Sequence, residues 1–166
     1  MCRSIMLMGL ALATSISVAP AKAQEFVLEK YFAGKTRAVG SFRAINGVNR
    51  SFKVDLTGKW NGKRLLLQED FIYSDGERDR KTWRFQKTGV NTYLGTREDV
   101  IGKVDVRVKY DTARFSYDVY LDGKNRKNRV RFHDTMTLKD NGRMINNAWV
   151  TKFGIPVART RVEFQR

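Results

Sequence analysis

The chain has 166 residues, of which 42% are hydrophobic and 30% charged, with two prolines and one cysteine. This composition supplies enough apolar material for the core of one domain, and it excludes an intrinsically disordered chain, a collagen and a coiled coil. Lys and Arg outnumber Asp and Glu by 32 to 17, which gives a formal net charge of +15 and favours an anionic partner of some kind.

The first 23 residues have the pattern of a secretory signal. Arg3 is followed by an apolar run from Ile5 to Ala13, and Ala21-Lys22-Ala23 matches a cleavage site of the small-x-small kind. We therefore expect residues 1–23 to be a cleaved signal peptide and residues 24–166 to form a single domain. A transmembrane anchor is the weaker alternative, because the apolar run is short and is followed by Thr and Ser residues.

The single cysteine, Cys2, would leave with the signal, and Gln24 follows the cleavage point where a bacterial lipoprotein has its lipid-bearing cysteine. We therefore expect a soluble exported protein of the periplasm or envelope that is not lipid-anchored. The expected mature domain has one histidine, His133, which falls on the outer face of a predicted strand. This inventory excludes a thiol nucleophile and a metal site of the His and Cys kind, and no cofactor is expected.

A short helix or turn is predicted between Phe26 and Phe32, before Gly34, because the apolar residues there have mixed spacing. Beyond it, apolar residues alternate with polar ones, as in half-buried strands. The alternating runs are Phe52 to Leu56, Leu65 to Tyr73, Lys81 to Phe85, Val104 to Tyr110, Phe115 to Leu121 and Val130 to Leu138.

Five dipeptides that favour tight hairpin turns separate these runs, at Asn46-Gly47, Asn61-Gly62, Asp75-Gly76, Asp122-Gly123 and Asn141-Gly142. They indicate an antiparallel meander, and closing the sheet on itself is the simplest way to leave no strand edge exposed. The sequence thus predicts an all-β fold, an antiparallel up-and-down, lipocalin-like barrel of about 9–10 strands with a short N-terminal helix or turn. A two-sheet sandwich is the alternative.

Four motifs in a fixed order carry a resemblance to a known family. They are Tyr31-Phe32-Ala33-Gly34, the segment Asp70 to Glu77 followed by Trp83, Asp99-Val100-Ile101-Gly102, and Phe132 to Met136 leading to Lys152-Phe153-Gly154. From about Tyr31 to Phe164 the chain resembles the bacterial family called domain of unknown function 3833 (DUF3833). The resemblance implies a small envelope protein of one domain with no established activity. Many family members are lipoproteins, and this chain lacks their cysteine.

Glu69 and Asp134 alternate in phase with large apolar neighbours and should point into the barrel. Two such acids in a cavity could bind a polar group or transfer a proton, which makes them candidates for catalysis. In the alternative interpretation each forms a structural ion pair with an inward arginine, Arg97 or Arg159. A non-enzymatic protein is favoured, because structural pairs are the commoner reason for a buried acid.

The candidates for ligand binding are Phe71, Tyr73, Trp83, Phe132 and Asp134. A barrel of this size has an interior that is either filled by side chains or able to hold one small ligand. The many large inward side chains favour a packed interior with a cavity at one mouth.

The candidates for contact with an anionic surface are Lys124, Arg126, Lys127, Arg129 and Arg131, which lie at the tip of a predicted hairpin. They could meet lipid phosphates, or they could form a solvated loop that protects strand edges. Nucleic acid is not favoured as a partner, because export separates the protein from it and no RNA-binding signature accompanies the basic run.

Three hypotheses follow. The first is an exported envelope protein that binds a lipid-like, apolar or amphiphilic molecule in its barrel. The second is an interaction module that docks on an envelope protein or an anionic membrane surface through the basic hairpin. The third is a small acid/base enzyme that uses Glu69 and Asp134. A dry, filled interior would remove the first and the third.

Overall fold

A computed structural model describes residues 25–122 and 127–166, and these form one short helix and ten strands. The elements in chain order are α1 Leu28–Phe32, β1 Gly34–Ala44, β2 Asn49–Trp60, β3 Arg64–Tyr73, β4 Arg78–Gly89, β5 Thr92–Thr96, β6 Val104–Lys109, β7 Thr112–Asp122, β8 Lys127–Leu138, β9 Met144–Lys152 and β10 Ile155–Gln165.

The ten strands close into one antiparallel barrel. Each strand pairs with its neighbours along the chain, and β1 completes the circle by pairing with β10 from Arg37–Gln165 to Ala44–Ala158. Closure leaves no free edge among the described strands. The predicted up-and-down barrel with a short N-terminal helix is confirmed, and the two-sheet sandwich is wrong.

Four of the five predicted turns join consecutive strands where the sequence places them, at 46–47, 61–62, 75–76 and 141–142. An asparagine or aspartate side chain accepts backbone hydrogen bonds in each of these turns; for example, the Asn61 Oδ1 atom accepts from the N–H groups of Lys63 and Arg64, at 3.1 and 2.7 Å. In the fifth dipeptide, Gly123 lies outside the described residues.

Helix α1 covers one end of the barrel, which we call the closed end. Phe26, Leu28 and Phe32 are buried there. The helix approaches β2 so closely at Gly58 that a Cβ atom at this position would lie 1.8 Å from the carbonyl oxygen of Phe32. Glycine is therefore required at this contact.

A buried carboxylate fixes the helix to the barrel wall. Glu29 accepts hydrogen bonds from the Lys87 Nζ atom on β4 and the Tyr93 hydroxyl on β5, both at 2.5 Å. Burial alone would raise the pKa of Glu29, but these two donors hold it below its ordinary value. Tyr31 of the same helix contacts other strands: its hydroxyl group is within hydrogen-bond distance, 3.3 Å, of the carbonyl oxygens of Gly142 and Phe164.

The core is concentrated between α1 and the middle of the barrel. Its most completely buried side chains include those of Leu56, Leu65, Tyr93, Val106 and Met144. The opposite end carries the turns at 45–48, 74–77, 97–103 and 153–154, and we call it the open end. Among the described residues, no helix has the length and apolar character needed to cross a bilayer.

Candidate functional site

A cavity of about 720 Å³ occupies the half of the barrel towards the open end and reaches solvent at the mouth. Because successive side chains of a strand point to opposite faces, each strand contributes every second residue to the interior. Aromatic residues dominate the wall: Phe42, Phe52, Phe71, Tyr73, Trp83, Phe115, Tyr117 and Phe132.

Three aromatic rings form one side of the mouth. Phe52 on β2 lies opposite Tyr73 on β3 in the strand register, and their ring centroids are 5.8 Å apart. Phe71 stacks beside Tyr73 at 5.8 Å with an interplanar angle of 14°. On the other side, Tyr117 stacks on Phe132 at 5.4 Å and 6°, so apolar ring faces flank the cavity from two directions.

Charges of alternating sign run along the cavity wall between these aromatic groups. The Lys81 Nζ atom lies 3.0 Å from Asp79 and 2.9 Å from Asp99. Arg97 binds Asp99 with two hydrogen bonds, at 2.5 and 3.1 Å, and its Nη1 atom is 3.9 Å from Glu69. Although burial alone would raise the pKa of Asp99, Arg97 and Lys81 hold it below its ordinary value.

Glu69 ends this chain of charges on the side of the packed core. Its side chain is 12% exposed, and the distance of 3.9 Å to Arg97 is too long for a hydrogen bond. Burial raises the pKa of Glu69 to about 7, and the positive charge of Arg97 only partly opposes this shift. The carboxyl group is thus divided between its neutral and charged forms near neutral pH.

Asp134 on β8 is the second buried acid of the cavity. It accepts a hydrogen bond from the side-chain amide of Asn146 on the adjacent strand β9. Burial raises the pKa of Asp134 to about 6, while the Asn146 hydrogen bond and the charge of Arg97 act to lower it.

Three buried acceptor atoms of this polar floor have no hydrogen-bond partner among the described residues: Glu69 Oε2, Asp134 Oδ2 and Asn146 Oδ1. Buried polar atoms are nearly always satisfied by protein, water or a ligand. The floor therefore offers acceptors to a molecule that carries hydrogen-bond donors.

All five residues predicted to bind a ligand, Phe71, Tyr73, Trp83, Phe132 and Asp134, line the cavity, and their role in binding stays a prediction. Glu69 lines it too. Arg97, the predicted inward partner, does face Glu69. The expectation for Arg159 is wrong, because it lies exposed on the outer face of β10, opposite Trp149.

The described residues of the basic hairpin, Lys127, Arg129 and Arg131, do not line the cavity. Arg129 and Arg131 lie on the outer face of β8 and share Asp118, at 3.0 and 3.4 Å, and Lys127 is exposed. Lys124 and Arg126 lie outside the described residues. His133 also lies on the outer face, between the hydroxyls of Ser116 and Thr151.

Sequence reasoning missed Asn146 as a polar residue of the interior, and it placed Lys81 in phase with Trp83 and Phe85 without giving it a role. The alternation of Met144, Asn146 and Ala148 could have placed Asn146 inward, since its neighbours two residues away are buried. It also missed Arg50 at the mouth, whose guanidinium lies 3.7 Å from the Tyr73 ring centroid and 2.8 Å from Asp75.

Within the described residues, no group of three or more His, Cys, Asp or Glu is arranged to hold a metal ion.

The model of one protein family, described as "Protein of unknown function (DUF3833)", matches residues 4–166. None of the curated proteins is similar enough in sequence to count as a relative.

Several solved structures are similar to the chain. The S-type phycobiliprotein lyase CPES from Guillardia theta has a TM-score of 0.56 and 8% identity, over 81% of this chain and 86% of the lyase. A redesigned β-barrel, mFAP1 bound to DFHBI, has a TM-score of 0.43 and 11% identity, over 88% of this chain and 100% of the barrel. At these identities the similarity concerns the barrel architecture alone.

Proposed function

Because the chain belongs to the DUF3833 family, whose function is unknown, we propose a function from the geometry of the chain itself. The protein is a non-enzymatic binding protein for one amphiphilic, lipid-like small molecule. The observation that carries this proposal is the open cavity of about 720 Å³, in which aromatic walls lead to a polar floor. Pockets for small molecules are about 300–1,000 Å³ and have this mixture of apolar walls and a few polar groups.

The apolar part of the ligand lies against the aromatic rings near the mouth. Phe52, Phe71 and Phe132 line the cavity and offer it hydrocarbon surface. Each 100 Å² or so of apolar ligand surface that leaves water there contributes about 2.5 kcal/mol to binding.

The polar part of the ligand meets the floor and donates hydrogen bonds. Glu69, Asp134 and Asn146 present unpaired acceptor oxygens, whereas the nearest cation, Arg97, already binds Asp99. A hydroxyl, amide or ammonium group satisfies these acceptors, and a carboxylate or phosphate does not.

An uncharged fluorescent probe tests the cavity directly. N-phenyl-1-naphthylamine has an aromatic body and one N–H donor, and we expect its fluorescence to rise on binding. Thr160→Trp places a bulky ring in the cavity from β10 and should weaken probe binding at least about tenfold. Arg161→Trp adds the same ring to the outer face of the same strand and should leave binding unchanged. The proposal would be contradicted if the folded protein does not raise the fluorescence of the probe, or if the two variants change probe binding equally.

The natural ligand should accompany the protein from its cell compartment. We propose that the protein acts in the envelope after export, which is supported by the signal-like pattern of residues 1–23. Protein purified from the envelope fraction should begin at Gln24 and release a stoichiometric amphiphile that mass spectrometry identifies. A version lacking residues 1–23 and purified from the cytoplasm is the control. Recovery of the uncleaved chain in the cytoplasm would contradict export.

A second candidate function is acid–base catalysis on the same ligand. It is favoured by one observation: the pKa values of two cavity acids are raised, to about 7 for Glu69 and about 6 for Asp134, which suits proton transfer near neutral pH. Incubation of the purified ligand with the protein distinguishes the two functions. An enzyme alters the ligand and loses this activity in Glu69→Gln, whereas a binding protein returns the ligand unchanged.

A further inference from the structure

Four exposed apolar side chains lie together on the rim of the open end. Ile45 and Val48 are in the hairpin turn between β1 and β2, Phe153 is in the turn between β9 and β10, and Ile155 is the first residue of β10. The two hairpins are adjacent, because β1 pairs with β10 and the Ile45 N–H group donates to the Val157 carbonyl at 2.9 Å. We call these four residues the rim patch.

Phe153 occupies a position that is costly for a phenylalanine. Its φ is 51° and that of Gly154 is 80°, the left-handed conformation of a two-residue hairpin turn, for which Asn, Asp and Gly are preferred. The ring is 94% exposed, so packing within the chain does not compensate for the backbone strain. Four other hairpins of the described chain have Asn-Gly or Asp-Gly at their tips. Tyr110, at a hairpin tip of the closed end, has the same backbone conformation and is 70% exposed, but Phe153 differs in lying beside three further exposed apolar side chains. The exposed, strained ring within this cluster therefore indicates a contact outside the barrel.

Two arginines lie beside the rim patch on the outer surface: Arg43 on β1 is opposite Arg159 on β10 in the strand register. Arg131 on β8 lies on the same half of the barrel and is paired with Asp118. Neither Arg43 nor Arg159 makes a salt bridge with any described residue. Trp149 on β9, whose amphipathic ring is exposed, lies opposite Arg159 in the strand register.

We propose that the rim patch docks the open end of the barrel on an anionic lipid bilayer. Phe153, Ile45 and Ile155 enter the boundary between headgroups and acyl chains, and Arg43 and Arg159 meet lipid phosphates. A bilayer fits this surface better than a protein does. The apolar groups are at or beside hairpin tips, which a fluid interface accepts without a complementary shape, and the cations Arg43 and Arg159 lie beside them on the outer surface. Val48 of the rim patch also lines the cavity, but the inference does not need the cavity to hold a ligand.

Co-sedimentation of the protein with vesicles tests the proposal. Two compositions are compared: phosphatidylcholine alone and phosphatidylcholine mixed with phosphatidylglycerol. We expect binding to the mixed vesicles, weak binding to phosphatidylcholine alone, and a steep loss of binding as salt is added. Absence of binding to the mixed vesicles, or equal binding to both compositions, would overturn the proposal.

Phe153→Asn separates docking from folding. Asparagine adopts the left-handed conformation more readily than phenylalanine does, so the variant should melt at the same or a higher temperature than the wild type. Its affinity for the mixed vesicles should nevertheless fall by about tenfold. The matched control is Val90→Asn, which removes an apolar side chain that is 81% exposed at the closed end. If Val90→Asn weakens binding as much as Phe153→Asn does, the rim is not the docking surface.

A second pair of variants tests the charges. Arg43→Ser with Arg159→Ser should weaken binding to the mixed vesicles. Arg107→Ser with Arg114→Ser removes the same charge from another cross-strand pair, near the closed end, and should not. Equal losses in both double variants would show that the net charge alone attracts the protein, which would overturn the assignment to the rim. The cavity variant Thr160→Trp should bind vesicles like the wild type, so failure of the ligand proposal and failure of this inference are distinguishable.

Discussion

Glu69 and Asp70 are neighbours in the sequence whose side chains lie on opposite sides of the barrel wall. Glu69 points inward, and burial raises its pKa to about 7. Asp70 points outward, and a hydrogen bond of 2.5 Å from Arg80 holds its pKa below the ordinary value. The two pKa values differ in direction because successive side chains of a β-strand point to opposite faces, so that Glu69 is buried and Asp70 is exposed to solvent.

Replacement of Glu69 by Gln should stabilise the protein at neutral and alkaline pH. In the folded state the pKa of Glu69 is about 7, against 4.5 for an exposed glutamate, so folding favours the neutral form. Its contribution to stability is present below about pH 4.5 and is lost as the pH rises through 7. Glutamine cannot ionise. We therefore expect the advantage of Glu69→Gln over the wild type to grow between about pH 5 and pH 8, by on the order of 1–3 kcal/mol, in urea unfolding.

Asp70→Asn is the matched control for this experiment, because the pKa of Asp70 is shifted in the opposite direction. Its stabilising interaction with Arg80 is present above the ordinary carboxyl pKa and is lost on acidification. The Asp70→Asn variant should thus have a slightly lower free energy of unfolding than the wild type at neutral pH. The effect is small because the ion pair is exposed. If the wild type and Glu69→Gln lose stability in parallel as the pH rises, Glu69 is not the buried titrating group.

At the scale of single elements, the contact between α1 and β2 depends on the absence of a side chain at Gly58. Gly58→Ala would drive a methyl group into the Phe32 carbonyl, and neither backbone can yield without moving the helix. We expect a loss of about 1–3 kcal/mol in the free energy of unfolding, measured by chemical denaturation.

Thr57→Ala makes a change of similar size on the exposed face of the same strand. It should cost less than about 0.5 kcal/mol. Equal unfolding free energies for the two variants would mean that α1 adapts freely to β2.

Strands with long alternation and turns with Asn-Gly or Asp-Gly could be predicted from the sequence, because both signals are local. They placed Glu69 and Asp134 inward. Strand β5 has five residues, too few for alternation to be evident. The turns at Tyr110 and Phe153 were missed because these residues have φ values of 57° and 51° without the residue types that favour them. Glu69 is on β3 and Arg97 directly follows β5; these strands are not neighbours, so only the curvature of the barrel brings the two side chains together.

At the scale of the whole molecule, the pairing of β1 with β10 could be predicted only from the need to cover edges. No residue of either strand signals its partner, because the contact joins opposite ends of the sequence. The cavity was harder to predict, since its volume depends on which directions the large inward rings take. The alternation places Phe71 and Phe132 inward, but it does not determine whether their rings fill the centre or lie along the wall.

The net charge of +15 should make the stability of the protein rise with ionic strength. Repulsion among the excess cations acts over about 30 Å in about 10 mM salt, and over less than about 8 Å in about 300 mM salt. We expect the melting temperature to increase between these two conditions.

Reversing two outer charges with Arg107→Glu and Arg114→Glu should make this increase smaller. A melting temperature that falls with salt in the wild type would show that the surface ion pairs, such as Arg143 with Glu163, outweigh the general repulsion.

Arg166 donates hydrogen bonds to the carbonyl oxygens of Lys30 and Ala33, at 2.8 and 3.3 Å, so the last strand ends beside the helix with which the described chain begins. The barrel is therefore a ring in which no strand is structurally the first. A circularly permuted chain, with a short linker from Arg166 to Phe26 and new termini at the turn between β6 and β7, keeps every strand pair. Such a permutant places both of its ends at the closed end, and it leaves the mouth of the cavity and the rim patch unaltered.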